Sequence, residues 1–87
     1  MVWYAVTQGK WLMKTELTNA SQLAAIVRSE RRRQKVSQIR LSQLADVGVR
    51  FVRDLEDGKE TVRLDKVLAV LETLGVAVEL SGSGDGE

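Results

Sequence analysis

The clearest pattern of apolar and polar positions lies near the middle of the chain, where two short helical repeats flank a break. Leu41 and Leu44 are three residues apart, which places both on one face of a short helix. Val52 and Leu55 repeat this spacing further along the chain. Between the two pairs, residues 46–48 (Asp-Val-Gly) interrupt the helical pattern. This arrangement predicts a helix, a tight turn and a second helix.

Apolar spacing predicts one further helix on each side of this pair. On the N-terminal side, Leu23, Ile26 and Val27 have helical spacing, and the helix is predicted to begin near residues 18–21, which offer N-cap oxygens. On the C-terminal side, a helix ended by Gly75 carries an apolar stripe wide enough for the core and for a partner subunit. The members of the stripe are Leu64, Val67, Leu68, Leu71 and Leu74. We therefore expect a mainly α-helical protein.

The two ends of the chain have a different character. Residues 76–80 (VAVEL) have the composition of a short strand, which needs a neighbour for its backbone N–H and C=O groups. The economical neighbour is a copy of the same strand in a second subunit, and the alternative is the strand-like segment at residues 2–6. Residues 1–17 are either a β-hairpin that turns near residues 7–10 or a loosely ordered extension. Residues 81–87 are predicted to be a flexible acidic tail.

Composition narrows the class of protein. A chain of 87 residues indicates one small domain. It contains no Cys, which argues against a disulfide framework or a thiolate zinc site, and no His, the commonest general base and metal ligand. With no glycine-rich phosphate loop and no evident pair of carboxylates, we expect no enzymatic activity, no cofactor and no metal. The absence of a long apolar run indicates a cytoplasmic protein without membrane contact.

The net charge of +1 conceals an uneven distribution. Between residues 28 and 66, Lys and Arg outnumber Asp and Glu, whereas the part after residue 66 contains acids but neither Lys nor Arg. A basic middle suits the phosphate backbone of a nucleic acid, whereas acidic flanks would avoid it. Taken alone, the same charges describe an ordinary solvated surface.

Residues 37–58, SQIRLSQLADVGVRFVRDLEDG, resemble the helix-turn-helix of Cro/repressor-type (XRE) DNA-binding domains, in particular the HipB-like antitoxin branch. The resemblance covers about residues 23–80. Two positions depart from the family: Asp46 replaces the usual Gly of the turn, and Gly48 replaces the usual Ser or Thr cap. Asp tolerates a left-handed conformation, and Gly is a weaker cap. The resemblance implies a lambda-repressor-like bundle of about four helices, whose short C-terminal strand pairs across a dimer.

The first helix of the central pair is predicted to bind a phosphate at its N-terminus. Ser37 caps this end, where free N–H groups and the helix dipole favour an anion. The resemblance implies that the side chain of Gln38, in the first turn, also holds the phosphate. Arg40 points away from the apolar face and can reach a neighbouring phosphate. The alternative is that Ser37 only caps the helix and Arg40 is only solvated.

The second helix, from about residue 49 to residue 57, is the predicted recognition helix. Recognition helices read bases from their N-terminal turns. Arginine donates two hydrogen bonds to guanine, and valine packs on a thymine methyl group, so we expect base contacts from Arg50 and Val49. Arg53 is expected to contact a base or a phosphate. Alternatively, Arg53 pairs with Asp57, one turn further on.

Three residues around this helix complete the predicted site. Gly48, at the N-cap, and Lys59, after the end of the helix, are further candidates for DNA contact. Glu56 resembles the Glu that the family has near the end of this helix. It is predicted to be a structural ion-pair partner for an Arg of one of the two preceding helices.

The resemblance implies a dimeric, sequence-specific repressor that binds a palindromic operator with half-sites about 34 Å apart. Residues 18–80 would form the DNA-binding and dimerisation domain, with Val76, Val78 and Leu80 at the dimer contact. The HipB-like branch further implies an antitoxin that binds a HipA-like serine/threonine kinase toxin and represses its own operon. The alternatives are a stand-alone XRE-type regulator and an interaction module that no longer binds DNA.

Overall fold

The computed structural model describes residues 2–7 and 14–82, with side chains from residue 16 to residue 82. This part of the chain forms four helices and three strands. In chain order they are β1 (Val2–Thr7), β2 (Lys14–Leu17), α1 (Ala20–Arg33), α2 (Gln38–Ala45), α3 (Val49–Glu56), α4 (Leu64–Leu74) and β3 (Val76–Ser81). Residues 8–10 of the predicted turn and residues 83–87 of the predicted tail lie outside the described residues. No helix within the described ranges has both the length and the apolar composition that crossing a membrane requires.

Local residues define where the helices begin and end. Asn19 is the N-cap of α1, and its side chain accepts a hydrogen bond of 2.8 Å from the N–H of Gln22, in agreement with the predicted start. After α1, Lys35 adopts the left-handed conformation that closes a helix, with φ of 59°. The residues in this conformation after the other three described helices are Asp46 (φ 57°), Gly58 (φ 84°) and Gly75 (φ 75°).

The core lies where the four helices meet. Its largest fully buried side chains are Leu41, Leu55, Val27, Val52 and Val70. Leu41, Val52 and Leu55 belong to the five residues on which the predicted helix pair rests, and a fourth, Val47, packs against the core. The prediction for Leu44 is wrong, because this residue is 51% exposed. α2 instead buries Ala45, which lies one full turn after Leu41, together with Ser42. The small side chains of Ala45 and Ser42 allow α3 and α4 to pack closely against α2.

The apolar stripe of α4 divides between the interior and the surface. Val67, Leu71 and Leu74 are buried, as predicted. Leu64 and Leu68 lie on the exposed side of the same helix. The stripe is therefore wider than the core that it covers, and it leaves apolar side chains at the surface next to β3.

The three strands form one antiparallel sheet in the order β2-β1-β3. β3 pairs with β1 along its whole length, from Val76 opposite Thr7 to Ser81 opposite Val2. Of the two neighbours considered for β3, the N-terminal segment of the same chain is therefore the one observed, and pairing of β3 across a dimer stays a prediction. β3 lies at one side of this sheet, so its second edge faces no strand of the described residues.

A polar contact joins the end of α1 to the end of α4. The buried carboxylate of Glu30 accepts hydrogen bonds from Arg33 and, at 3.1 Å, from the side-chain amide of Gln34. The hydrogen bond from Arg33 is the main reason that the pKa of Glu30 lies below its ordinary value. The amide nitrogen of Gln34 also donates to the carbonyl of Leu74 at 2.6 Å. This bond satisfies a carbonyl that the last turn of α4 leaves free.

Candidate nucleic-acid interface

The turn between α2 and α3 contains both residues that depart from the XRE pattern. Asp46 lies in the left-handed region, with φ of 57° and ψ of 47°, as its residue type allows. The N–H of Val47 donates to the carbonyl of Ser42 at 3.0 Å and closes the end of α2. Gly48 is the N-cap of α3 in an extended conformation, with φ of −71°. A Cβ at Gly48 would meet nothing within 4 Å, so neither space nor backbone geometry requires glycine there.

Replacing Gly48 by serine is expected to raise the free energy of unfolding by a few tenths of a kcal/mol. The serine hydroxyl would accept a hydrogen bond from the first turn of α3, which has no side-chain cap. Urea unfolding followed by circular dichroism measures the change. Gly48→Ala, which adds a side chain without an acceptor, is the control, and equal stability of the two variants would contradict the capping argument.

A buried carboxylate anchors the inner face of α3 to α1. Glu56 is 3% exposed, and its two oxygens accept hydrogen bonds of 2.6 Å and 2.9 Å from the guanidinium of Arg31. These hydrogen bonds raise the pKa of Arg31, and partial burial opposes the shift. Arg28 donates to the backbone carbonyl of Glu56 at 2.8 Å. The ion pair predicted between Glu56 and an Arg of a preceding helix is therefore present, and it fixes the rotation of α3.

The same carboxylate holds the N-terminal turn of α2. The side-chain amide nitrogen of Gln38 donates to Glu56 at 3.1 Å. Ser37 is the N-cap of α2, and its hydroxyl accepts a hydrogen bond of 3.0 Å from the N–H of Arg40. Both predicted phosphate ligands thus have a partner within the protein. The Arg40 side chain is exposed beside them.

The outer face of α3 presents two arginines to solvent. The side chain of Arg50 is 88% exposed, and Arg53 is exposed as well. Val49, the first residue of the helix, is partly buried. Within the described part of the chain, Arg53 and Asp57 form no ion pair, in contrast to the alternative considered above. α3 therefore has an anchored inner face and an outer face that presents two exposed arginines, with the carboxylates of Asp54 and Asp57 beside them.

Asp54 lies among these cations and is not one of the predicted site residues. Its Oδ1 is 3.6 Å from Nε of Arg50, and its Oδ2 is 3.6 Å from Nζ of Lys59. The C-terminal end of α3 brings Lys59 to this position. Gly58 turns the chain there, and the N–H of Lys59 donates to the carbonyl of Asp54 at 3.0 Å. The available signal was the four-residue spacing between Arg50 and Asp54 on one helix.

Most of the sequence aligns with that of a known protein, although no protein-family model matches it. It is 38% identical over 73 residues to the uncharacterized HTH-type transcriptional regulator y4mF of Sinorhizobium fredii (strain NBRC 101917 / NGR234). The aligned part covers 84% of this chain and 96% of that relative. The helices of the described residues, with the tight turn between α2 and α3, agree with a helix-turn-helix (HTH) bundle. The chain therefore belongs to the HTH-type transcriptional regulators, a family of DNA-binding proteins.

Proposed function

We propose that this protein is a dimeric repressor that binds a specific DNA sequence, with α3 as its recognition helix. The proposed location is the cytoplasm, where the protein associates with the nucleoid when it is bound to its operator. The observation that carries the proposal is the division of α3 into an anchored inner face and an exposed outer face. Glu56 fixes the inner face through Arg31, whereas Arg50 extends into solvent. A helix with these two properties would hold its arginines at a defined position in the major groove.

The proposed contacts with DNA follow from the chemistry of each side chain. Arg50 would donate two hydrogen bonds to O6 and N7 of guanine, Val49 would pack on a thymine methyl group, and Arg53 would contact a base or a phosphate. The proposed phosphate contacts are Ser37, Gln38, Arg40, Gly48 and Lys59. The amide of Gln38 carries two N–H donors, so it is able to serve Glu56 and a phosphate together.

Dimerisation is proposed to use the outer edge of β3. β1 pairs with the inner edge, and the outer edge presents backbone groups that an antiparallel copy would satisfy. Val76, Val78 and Leu80 alternate on the face toward α4. Val76 is buried and Val78 packs against the core, whereas Leu80 is 53% exposed. A second strand at this edge would cover Leu80 and join the two sheets into one.

A groove beside this edge supports one register for the pair. It has a volume of about 410 Å³, and its lining residues on α4 and β3 are Leu68, Leu71, Glu72, Gly75, Val76, Ala77 and Val78. With the two-fold axis at Val78, Val76 would face Leu80 of the partner subunit, whose side chain would then enter the groove. An axis at Glu79 would place two glutamates opposite each other, which is unfavourable.

Replacing Leu80 by aspartate is expected to weaken the dimer by about thirtyfold or more, because a buried interface side chain contributes about 2 kcal/mol. Sedimentation velocity over a range of protein concentrations measures the dissociation constant. Ile39→Asp makes the same change at an exposed side chain of α2 and should leave the dimer intact. A dimer that resists Leu80→Asp would place the interface away from β3.

The HipB-like resemblance extends the proposal to an antitoxin that binds a HipA-like serine/threonine kinase toxin and represses its own operon. Its support is the resemblance of residues 37–58 and of the segment that follows. A stand-alone XRE-type regulator is the second candidate, and the name of y4mF, which describes a transcriptional regulator, favours it. Purification of the tagged protein from its host separates the two: a co-eluting kinase supports the antitoxin, and elution without one supports the stand-alone regulator.

Selection of duplexes from a random library tests the proposed DNA reading directly. The wild-type protein is expected to enrich a palindrome whose half-sites lie about 34 Å apart, or one helical turn. Enrichment of no sequence would contradict specific binding, and enrichment of a single half-site would contradict the dimer.

A further inference from the structure

We propose that Asp54 determines specificity on the outer face of α3, the surface proposed to contact DNA. Its charge holds Arg50 and Lys59, and it directs Arg50 toward a base edge. The inference rests on the proposed function, since it assigns a role within the same surface. The proposed role explains why a carboxylate lies on a surface that is expected to face DNA phosphates, which attract cations and repel carboxylates.

Stability does not account for the position of Asp54. Its side chain is 29% exposed and contributes nothing to the buried face of α3, which consists of Val52, Leu55 and Glu56. It caps neither end of the helix, because the N-cap is Gly48 and the C-cap is Asp57. Exposed ion pairs with separations near 3.6 Å contribute little to folding. The effect of this carboxylate therefore falls on the two cations that it contacts.

The contact with Arg50 leaves the two terminal nitrogens of its guanidinium free to bind a base. Asp54 approaches Nε, the guanidinium nitrogen nearest the helix along the side chain, and Arg50 has no other ion pair within the described part of the chain. The two terminal nitrogens lie further out, where they can donate to O6 and N7 of guanine. A carboxylate at Nε also limits rotation of the guanidinium, so less conformational freedom is lost when Arg50 meets a base.

The contact with Lys59 changes the attraction between this surface and DNA of any sequence. One carboxylate stands between two cations, so it lowers the local positive charge. Binding to unrelated DNA depends on phosphate contacts and is weakened by this loss of charge. Binding to the operator loses the same attraction but regains affinity, because Asp54 holds Arg50 in the orientation that meets the base. Asp54 therefore increases the ratio of operator affinity to non-specific affinity.

The test compares Asp54→Asn with Asp57→Asn, which makes the same change of charge one turn further along at an exposed residue. Dissociation constants are measured for the selected operator and for an unrelated duplex at several salt concentrations. Asp54→Asn is expected to bind the unrelated duplex about threefold to tenfold more tightly, and the operator less than about twofold more tightly. The affinity ratio should therefore fall about threefold in Asp54→Asn and stay unchanged in Asp57→Asn.

Two further variants separate a positioning role from a general loss of structure. Asp54→Glu keeps the charge and should retain most of the affinity ratio. In an Arg50→Ala background, Asp54→Asn should change the ratio much less, since Asp54 acts through Arg50.

An unchanged ratio in Asp54→Asn, or an equal fall in Asp57→Asn, would overturn the inference and leave the proposed function intact. A wild-type protein that prefers no duplex would overturn the proposed function, and the inference with it.

Discussion

Replacing Glu56 by alanine is expected to lower the free energy of unfolding by about 3–5 kcal/mol. The substitution leaves the guanidinium of Arg31, whose side chain is 12% exposed, without its carboxylate. It also removes the acceptor of the Gln38 side chain, so the side-chain hydrogen bonds that the carboxylate accepts from α1 and from α2 are lost together. Urea unfolding measures the change. Because small domains have marginal stability, the variant is expected to be largely unfolded at elevated temperature.

An exposed ion pair of the same geometry provides the control for this prediction. Arg63 donates to both oxygens of Asp65, at 3.1 Å and 2.7 Å, but the Asp65 side chain is 63% exposed. Asp65→Ala is therefore expected to have a far smaller effect than Glu56→Ala. Equal destabilisation by the two variants would contradict the argument from burial.

Replacing Arg50 by alanine is expected to weaken operator binding by about 1–3 kcal/mol and to relax the preference at one base pair. The reason is the loss of two parallel hydrogen bonds to a guanine. Dissociation constants for the operator, for its single-base variants and for an unrelated duplex measure both effects. Arg50 is almost fully exposed, so its replacement should leave the urea midpoint unchanged.

Arg40→Ala is the matched control, since it removes a proposed phosphate contact from α2. It is expected to weaken binding to the operator and to the unrelated duplex alike, and to reduce the slope of log affinity against log salt by about 1. If Arg50→Ala gave this same uniform loss, Arg50 would contact a phosphate and not a base.

The helix-turn-helix could be predicted from the sequence because its turns depend on local residues. Asp46 tolerates a φ of 57°, and Gly58 and Gly75 provide the left-handed residues that end α3 and α4. The burial of Val52 and Leu55 followed from a helix with one apolar face and one strongly polar face.

Other features depend on contacts that local spacing does not reveal. Leu44 was assigned to the wrong face because a helix of eight residues carries too few apolar positions to define its rotation. Packing selects Ala45, whose small side chain lets the neighbouring helices approach. The neighbour of β3 could not be chosen because β1 and a second copy would satisfy the same backbone groups. Asp54 gains its second partner only through the fold of the loop that carries Lys59.

The pairing of β1 with β3 has a consequence for the order of events during protein synthesis. The four helices lie between these two strands in the chain and end before β3, although Val76 of β3 belongs to their core. The pairing of β1 with β3 joins strands that are far apart in the sequence, so it must wait until β3 has left the ribosome. If two copies associate through β3, neither can do so before its own β3 has been synthesised and has left the ribosome.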